Sequence, residues 1–299
     1  MASTIIGNLN KRFHQGDILT QLIYVNTGIF ILFTVVRIAF LLFRQDIAFL
    51  FRYIQLPASA IRFCTQPWSL FSYMFTHTEA LHLLFNMLWL YWFGTLFLQL
   101  FSAKHLRGLY LFGGICGGLF YMLAYNIFPL FTSTAGYAYL TGASASVFAI
   151  VAAVAYQQPN LPVSLFIFGT IPIKYLAFFV LGTDLLFITA ENAGGHISHI
   201  GGALSGLWFV WSLHRGIDLT HSLNAFIDYM TGLFRKKPSY YKKPKMEAHY
   251  GGKRQKDYDY NARKKVQDTE IDRILDKLRK SGYESLSSEE KKALFNGNK

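Results

Sequence analysis

The sequence predicts an all-α membrane protein with six transmembrane helices, a short central fourth helix and a small helical tail in the cytosol. Three observations predict this class. Hydrophobic residues make up 52% of the 299 residues and aromatic residues 17%, which is more apolar than an ordinary soluble protein. Apolar segments recur as far as residue 213. Charge is concentrated behind them, with nine Lys and Arg in residues 1–214 and 20 in residues 215–299.

The net charge of +12 is therefore mainly a property of the tail. A basic cytosolic tail follows the positive-inside rule and contacts anionic lipid headgroups, so the charge gives no reason to expect a nucleic-acid partner. Two cysteines, Cys64 and Cys116, provide neither a disulfide framework nor a metal quartet. The first apolar run lacks a small-residue cleavage site and is interpreted as a retained helix.

Six apolar segments are predicted to span the membrane, over residues 22–43, 80–101, 109–128, 142–157, 175–190 and 195–213. The segment 44–77 mixes arginines with aromatic residues and is interrupted by prolines, so it is expected to lie partly in the membrane interface. Basic residues that include Lys11 and Arg12 fall on one side of a six-span topology, which predicts that both termini are cytoplasmic.

Four parts of the chain are expected. A membrane domain covers residues 1–215, an amphipathic juxtamembrane helix 216–234, a flexible basic linker 235–266 and a helix pair 267–299. In the pair, Ser287 and Glu290 have the spacing of a capping box. The pair is too small to fold firmly alone, so we expect it to dock on a partner that the sequence does not identify.

Ser144 lies in the first turn of the short fourth helix, between Ala143 and Ala145. A serine at a helix start offers a hydroxyl nucleophile and a free backbone N–H that can hold an anion. Taken alone, the same pattern is more often a helix-packing position. The preceding residues 132–141 are polar, and irregular backbone is tolerated at membrane depth only beside protein or a wet cavity. Ser144 is therefore expected in a wet pocket below the outer surface.

Two polar residues are expected at the same depth. His82 and Asn86 are four residues apart near the start of the second span, so they share one helix face. Buried in an apolar span, they must find polar partners or line water. They serve either as hydrogen-bonding contacts between helices or as donors to a developing oxyanion.

The sixth span supplies a candidate general base. His199, Gly202 and Gly206 share one face, and the two glycines allow another helix to approach closely. The fourth span offers a matching small face that is predicted to begin at Gly142. This crossing would bring the His199 imidazole to about 2.6–3.2 Å from the Ser144 hydroxyl.

An aromatic residue is predicted to orient that imidazole. Phe148 lies one turn after Ser144 and can stack on the His199 ring, which would fix the ring without a carboxylate. Asp184 is the one acid well inside a span and is expected to be paired structurally. His196 is expected to hydrogen-bond to backbone near the helix start.

Three motifs in this order resemble the rhomboid family of intramembrane serine proteases over about residues 15–215: Gly142-Ala143-Ser144, His82-x-x-x-Asn86 and His199-x-x-Gly202-x-x-x-Gly206. The resemblance implies Ser144 as nucleophile and His199 as base. It implies an oxyanion hole formed by Asn86, His82 and the Ser144 amide, with Phe148 supporting the base. One departure is Ala145, since the family usually has glycine there, and its methyl group is expected beside the oxyanion hole.

The resemblance also implies a reaction and a location. The expected reaction is hydrolysis of single-span membrane proteins in or near their outer-leaflet segment, through an acyl-enzyme and without a cofactor or metal. Membrane lipids are the other expected partners, and the expected location is the bacterial inner membrane.

Three other functions compete with this interpretation. A metal site could use His77, Glu79, His82, His196 and His199, but no His-Glu-x-x-His motif is present. A rhomboid-like pseudoprotease would bind membrane clients without cleaving them, although such proteins characteristically lose the Ser–His pair. A transporter is disfavoured because the sequence has no internal repeat.

Overall fold

The computed structural model describes residues 17–165, 169–189, 192–234 and 254–296. Lys11, Arg12 and most of the predicted linker lie outside these residues. Helices dominate the described chain, which confirms the all-α class. The helices are α1 (Ile18–Leu42), α2 (Ala48–Ile54), α3 (Ala60–Thr65), α4 (Ser69–Ser72), α5 (Ala80–Leu100), α6 (Ala103–Ile127), α7 (Pro129–Thr132), α8 (Ser144–Gln157), α9 (Ile173–Leu186), α10 (Ala193–Leu213), α11 (His221–Phe234), α12 (Arg254–Ser281) and α13 (Ser288–Asn296).

Short strands and two 3₁₀ turns complete the described elements. The 3₁₀ turns cover Tyr73–Phe75 and Tyr283–Ser285. The strands are β1 (Leu56–Pro57), β2 (Tyr139–Leu140), β3 (Pro162–Leu165) and β4 (Gly169–Pro172). Strands β3 and β4 pair antiparallel between α8 and α9.

Each predicted span coincides with a helix, but length and composition identify only some of them as spans. Within the described residues, α1, α5 and α6 are long and apolar enough to cross a membrane. Helix α8 has 14 residues, about 21 Å at 1.5 Å per residue, which is shorter than a hydrocarbon core of about 30 Å. Helix α9 also has 14 residues, and the 21 residues of α10 include several glycines and two histidines.

Helix α8 is the centre of the bundle. Residues 145–147 and 149–154 are all buried, and α8 packs against α5, α6, α9 and α10. Small residues allow these close contacts, because Gly113 and Gly117 of α6 face the methyl groups of Ala149 and Ala145. The short helix is therefore held inside the protein, while α1 exposes apolar side chains along much of its length to lipid.

The connection from α1 to α5 is folded against the loop that precedes α8. Strand β1 pairs antiparallel with β2, with Leu56 opposite Leu140 and Pro57 opposite Tyr139. The Ala58 amide adds a 3.0 Å hydrogen bond to the Ala138 carbonyl. This contact fixes the chain a few residues before Ser144, and it was not predicted because two-residue strands have no detectable periodicity.

Helix α11 packs against the start of α6. The Arg107 side chain donates to Asn224 at 2.8 Å and pairs with Asp228 at 2.7 Å, and Asn224 donates to the Lys104 carbonyl at 3.0 Å. The predicted amphipathic segment 216–234 contains this helix, which exposes Phe226 on its free face.

The chain divides into two compact units, residues 1–235 and 236–299. In the second unit, α12 begins at Arg254, so the flexible linker predicted over 235–266 is wrong for its last thirteen residues. Seven of these thirteen residues are Lys, Arg, Gln or Ala, which favour helix. The capping box is confirmed, with Ser287 N–H donating to Glu290 at 2.8 Å and Glu290 N–H donating to the Ser287 hydroxyl at 3.3 Å.

Candidate active site

The residues before Ser144 form a tight turn against α5. Gly142 has φ +107°, a left-handed conformation that favours glycine, and its N–H donates to the Tyr73 carbonyl at 2.9 Å. A Cβ at Gly142 would lie 2.6 Å from Cε1 of His82. Gly142 was predicted to begin the small face of the fourth helix. It lies before that helix instead, because this φ cannot enter a right-handed helix, and it packs on the His82 ring.

A buried histidine holds the next residue of the turn. The Ala143 N–H donates to Nε2 of His77 at 3.4 Å. Burial, and to a smaller extent the neighbouring His82 ring, lower the pKa of His77 to about 4. His77 is therefore neutral at physiological pH and keeps a lone pair for the Ala143 amide. Together with the Tyr73 contact, this bond fixes the backbone leading into Ser144.

Helices α8 and α10 cross almost backbone to backbone below this turn. Cβ atoms built on Gly202 and Gly206 would collide with the carbonyl oxygens of Ala145 and Ala149. The Ala145 methyl group faces Gly117 of α6. The expectation that this methyl group lies beside the oxyanion hole is wrong, because the helix turns it toward α6.

The crossing places His199 in a stack of three aromatic rings. The Phe148 and His199 ring centroids are 4.2 Å apart with an interplanar angle of 12°, and Trp89 stacks on Phe148 with centroids 6.5 Å apart. Trp89 comes from α5 and was not singled out in the sequence. The one feature of the sequence that could have identified Trp89 is its position three residues after Asn86, on the same helix face.

A carboxylate also contacts His199, contrary to the prediction that Phe148 orients the ring without one. Oδ1 of Asp184, in α9, lies 2.9 Å from Nδ1 of His199 and 2.7 Å from Nδ1 of His196. The His196 ring therefore bonds to Asp184, while its main-chain N–H donates to the Asn192 carbonyl at 3.2 Å. Asp184 is buried, and its position as a lone acid inside an apolar segment was the available signal of a functional contact.

A cavity of about 680 Å³ opens at the N-terminal ends of α5, α8 and α10. It brings together five of the residues singled out from the sequence, namely Ser144, His199, His82, Asn86 and Phe148. The helix-packing residues Gly202 and Gly206 lie below it in the crossing of α8 and α10. The polar side chains predicted for the site thus share one cavity despite coming from three helices.

One side-chain donor of the cavity, the Asn86 amide, already makes a hydrogen bond within the protein. Asn86 Nδ2 donates to the His82 carbonyl at 2.9 Å, and the same nitrogen carries a second hydrogen for another acceptor. The described residues contain no hydrogen bond between the Ser144 hydroxyl and the His199 ring, although 2.6–3.2 Å was expected. Nucleophile–base contacts are often long without substrate and shorten in the reacting complex.

One group of side chains in the described chain has the composition of a metal site. Ligand atoms of Asp184, His196 and His199 all lie within 4.8 Å of one another. The two Oδ1–Nδ1 distances are hydrogen-bond distances, whereas donors around a tetrahedral zinc ion are about 3.3 Å apart. The distances between Asp184 and the two histidines therefore fit hydrogen bonds better than ligation of a common metal ion.

Comparison with known proteins identifies two regions of the chain. A model described as the Rhomboid domain matches residues 64–216, just over half of the chain. A second model, described as a family of unknown function (DUF6576), matches residues 254–296, which comprise α12 and α13.

Similar curated proteins come from three eukaryotes, each at 27% identity. They are RHOMBOID-like protein 12, mitochondrial, of Arabidopsis thaliana (64% of this chain, 58% of the relative), Rhomboid protein 1, mitochondrial, of Saccharomyces cerevisiae (52% and 44%) and Presenilin-associated rhomboid-like protein A, mitochondrial, of Danio rerio (47% and 36%). The chain thus spans about half the length of these relatives. Because all three are named as mitochondrial, they give no support to the expected bacterial inner membrane.

Proposed function

This chain belongs to the rhomboid family, and from that premise we propose that it is an intramembrane serine endopeptidase with Ser144 as nucleophile and His199 as general base. The observation that carries the proposal is the shared cavity of these two residues, with His199 stacked on Phe148 at 4.2 Å. A stacked imidazole is held in one orientation, which a base needs when it removes a proton from a fixed hydroxyl.

The proposed reaction proceeds through an acyl-enzyme. The Ser144 oxygen attacks the scissile carbonyl carbon while its proton passes to Nε2 of His199. The resulting oxyanion is held by the Ser144 N–H at the start of α8 and by side-chain N–H groups of Asn86 and His82. His199 then gives the proton to the leaving amine, and a water molecule hydrolyses the ester by the same two steps.

The proposed substrates are single-span membrane proteins, cleaved near the membrane end at which the cavity opens. A substrate helix bonds its own backbone and must unwind locally before a carbonyl can reach Ser144. The proposal includes six membrane spans with both termini on one side, because Lys104, Arg107 and Lys174 then share the side of the basic tail.

Cleavage of a single-span substrate by the purified full-length protein in detergent tests this function. We expect cleavage by the wild type and loss of cleavage in Ser144→Ala and His199→Ala. Ser146→Ala is a matched control, because Ser146 is fully buried with its hydroxyl against Met74, outside the cavity lining. Cleavage that persists in Ser144→Ala but is lost in Ser146→Ala contradicts the proposal.

A client-binding scaffold without protease activity is the second candidate. It is favoured by one observation, the absence of a Ser144–His199 hydrogen bond among the described residues. In that case the wild type would bind the same membrane proteins, and Ser144→Ala would change neither binding nor the integrity of the bound protein.

A chelator should leave cleavage unchanged under the serine mechanism and abolish it if a metal supplies the chemistry.

A further inference from the structure

Asp184 is the one acid whose carboxylate contacts the candidate base in the described chain. It projects from α9 toward α10, where Oδ1 lies 2.9 Å from Nδ1 of His199 and 2.7 Å from Nδ1 of His196. Asp184 is 5% exposed, and its Oδ2 is buried with no hydrogen-bond partner among the described residues. Burying a carboxylate costs free energy, and here two imidazoles contact one of its oxygens while the other has no partner in the described part of the chain. This arrangement suggests that the contact with the imidazoles has a function.

The contact determines which ring nitrogen of His199 carries the proton. An ionised carboxylate only accepts hydrogen bonds, so Nδ1 of His199 must donate, and the lone pair of the neutral ring is then on Nε2. Nε2 is the nitrogen required to take the Ser144 proton. His196 does not line the cavity, so the same tautomer in that ring serves to hold Asp184.

We propose that Asp184 is a positioning residue for His199, so that the site works as a Ser144–His199–Asp184 triad in which the Phe148 stack is a second support. This inference rests on the proposed function. When His199 accepts the Ser144 proton, its positive charge forms beside a carboxylate already in place. The contact therefore becomes an ion pair only as the reaction proceeds, and this difference between ground state and transition state favours the rate.

The matched experiment compares Asp184→Asn with Asp218→Asn. Asp218 also faces a histidine, with its Oδ2 3.6 Å from Nε2 of His105, but that pair is away from the cavity. Asparagine keeps the size of the side chain and removes its charge, and its amide can donate as well as accept. Both variants are made in the full-length protein and compared with the wild type for kcat and KM on one substrate.

We expect Asp184→Asn to lower kcat with little change in KM. In other serine proteases with a triad, the corresponding change lowers kcat about 10⁴-fold. Here the Phe148 ring also holds the imidazole, so we expect a loss of about 10- to 10³-fold. Asp218→Asn should remain within about twofold of the wild type. Equal kcat values for Asp184→Asn and the wild type would overturn the inference.

The pH–rate profile separates positioning from a structural role. The titratable groups facing His199 are Asp184 from α9, His196 from its own helix and His82 from α5, while α8 contributes only uncharged side chains. Removing the Asp184 charge disfavours the imidazolium, so the fall of activity in acid should begin at lower pH in Asp184→Asn. A profile reduced in height with an unmoved acid limb would indicate a structural role only.

Histidine ¹⁵N NMR tests the inference without any activity. The His199 signals are assigned by their loss in His199→Gln, and the wild type should show a protonated Nδ1 and an unprotonated Nε2. Asp184→Asn should mix the two tautomers, and Asp218→Asn should not. A wild-type Nε2–H tautomer overturns the inference even if Asp184→Asn fails to fold. A wild type that cleaves nothing but shows the expected tautomers would contradict the protease function, although the Asp184 contact would still be shown to set the His199 tautomer.

Discussion

Gly202 of α10 lies against the carbonyl oxygen of Ala145 in α8, so closely that a side chain at position 202 would overlap that oxygen. The same relationship recurs one turn on, between Gly206 and Ala149. Ser144 directly precedes Ala145, and His199 precedes Gly202 by one turn. The distance between the candidate nucleophile and the candidate base is therefore set by how closely these two helices approach.

Gly202→Ala is expected to lower stability and activity together. The added methyl group must push α10 away from α8, and overpacking of this kind typically costs about 1–3 kcal/mol. The shift also moves His199 away from Ser144, so cleavage should fall by more than the unfolded fraction explains. Thermal unfolding in detergent and the cleavage rate of the folded protein measure the two effects.

Gly182→Ala is the matched control for that variant. Gly182 lies within α9, and a Cβ there would meet nothing within 4 Å. Alanine should be neutral or stabilise α9 by about 0.5–1 kcal/mol, because glycine is a poor helix former. If the two glycine variants behaved alike, the close approach of α8 and α10 could not be what positions the site.

Local pattern in the sequence predicted those features that depend on residues near one another in the chain. The helix faces of His82 with Asn86 and of His199 with Gly202 follow from spacings of four and three residues. The resemblance to a known family then indicated that these faces meet. Spacing alone left hydrogen bonding between helices and catalysis both open for His82 and Asn86.

Features that depend on distant parts of the chain were missed. Asp184 reaches His199 from a different helix, and no local spacing relates a residue of α9 to one of α10. Gly142 was placed in a helix because it lies within an apolar run of small residues, although its φ of +107° stops the helix from beginning before Ser144. The pairing of β1 with β2 joins segments about eighty residues apart through strands too short for a pattern.

Asn86→Ala is expected to slow catalysis without unfolding the protein. Loss of one oxyanion donor lowers kcat by about 10²–10³-fold in enzymes where it has been measured. Asn126→Ala is the control, because the Asn126 amide donates to the Ala58 and Met122 carbonyls at 2.7 Å and serves the fold only. We expect reduced kcat with an unchanged unfolding temperature for Asn86→Ala, and the opposite for Asn126→Ala. An Asn86→Ala enzyme with full kcat would exclude this residue from the oxyanion hole.

The helix pair of the tail should lose stability in acid because of Glu290. Hydrogen bonds from Lys277 and from the Ser287 N–H lower the pKa of Glu290 to about 2. The folded pKa is below the unfolded value of about 4.5, so the contribution is complete above pH 4.5 and is lost as the pH falls toward 2.

Hydrogen exchange of α12 and α13 amides in the full-length protein measures this loss. Glu290→Gln should remove the pH dependence between about 4.5 and 2, since glutamine does not titrate. Glu289→Gln changes the neighbouring residue and should keep the dependence. A wild-type tail equally protected at pH 5 and pH 2.5 would show that Glu290 does not support it.

The six-span topology predicts that Thr134 and Tyr260 lie on opposite sides of the membrane. Single cysteines at these positions, in a background without Cys64 and Cys116, can be tested with an impermeant thiol reagent in sealed membranes. One position should react directly and the other only after the membrane is opened. Reaction of both positions from the same side would contradict the six-span topology, in which three spans separate these two residues.

Labelling with a fluorophosphonate tests the central claim most directly, because the probe reacts only with a serine that has both a base and an oxyanion site. We expect mass spectrometry to find the phosphonyl group on Ser144 and not on Ser146. Labelling should disappear in Ser144→Ala and His199→Ala, and it should persist in Ser146→Ala. Labelling of Ser146, or a folded wild type that remains unlabelled, would contradict the account.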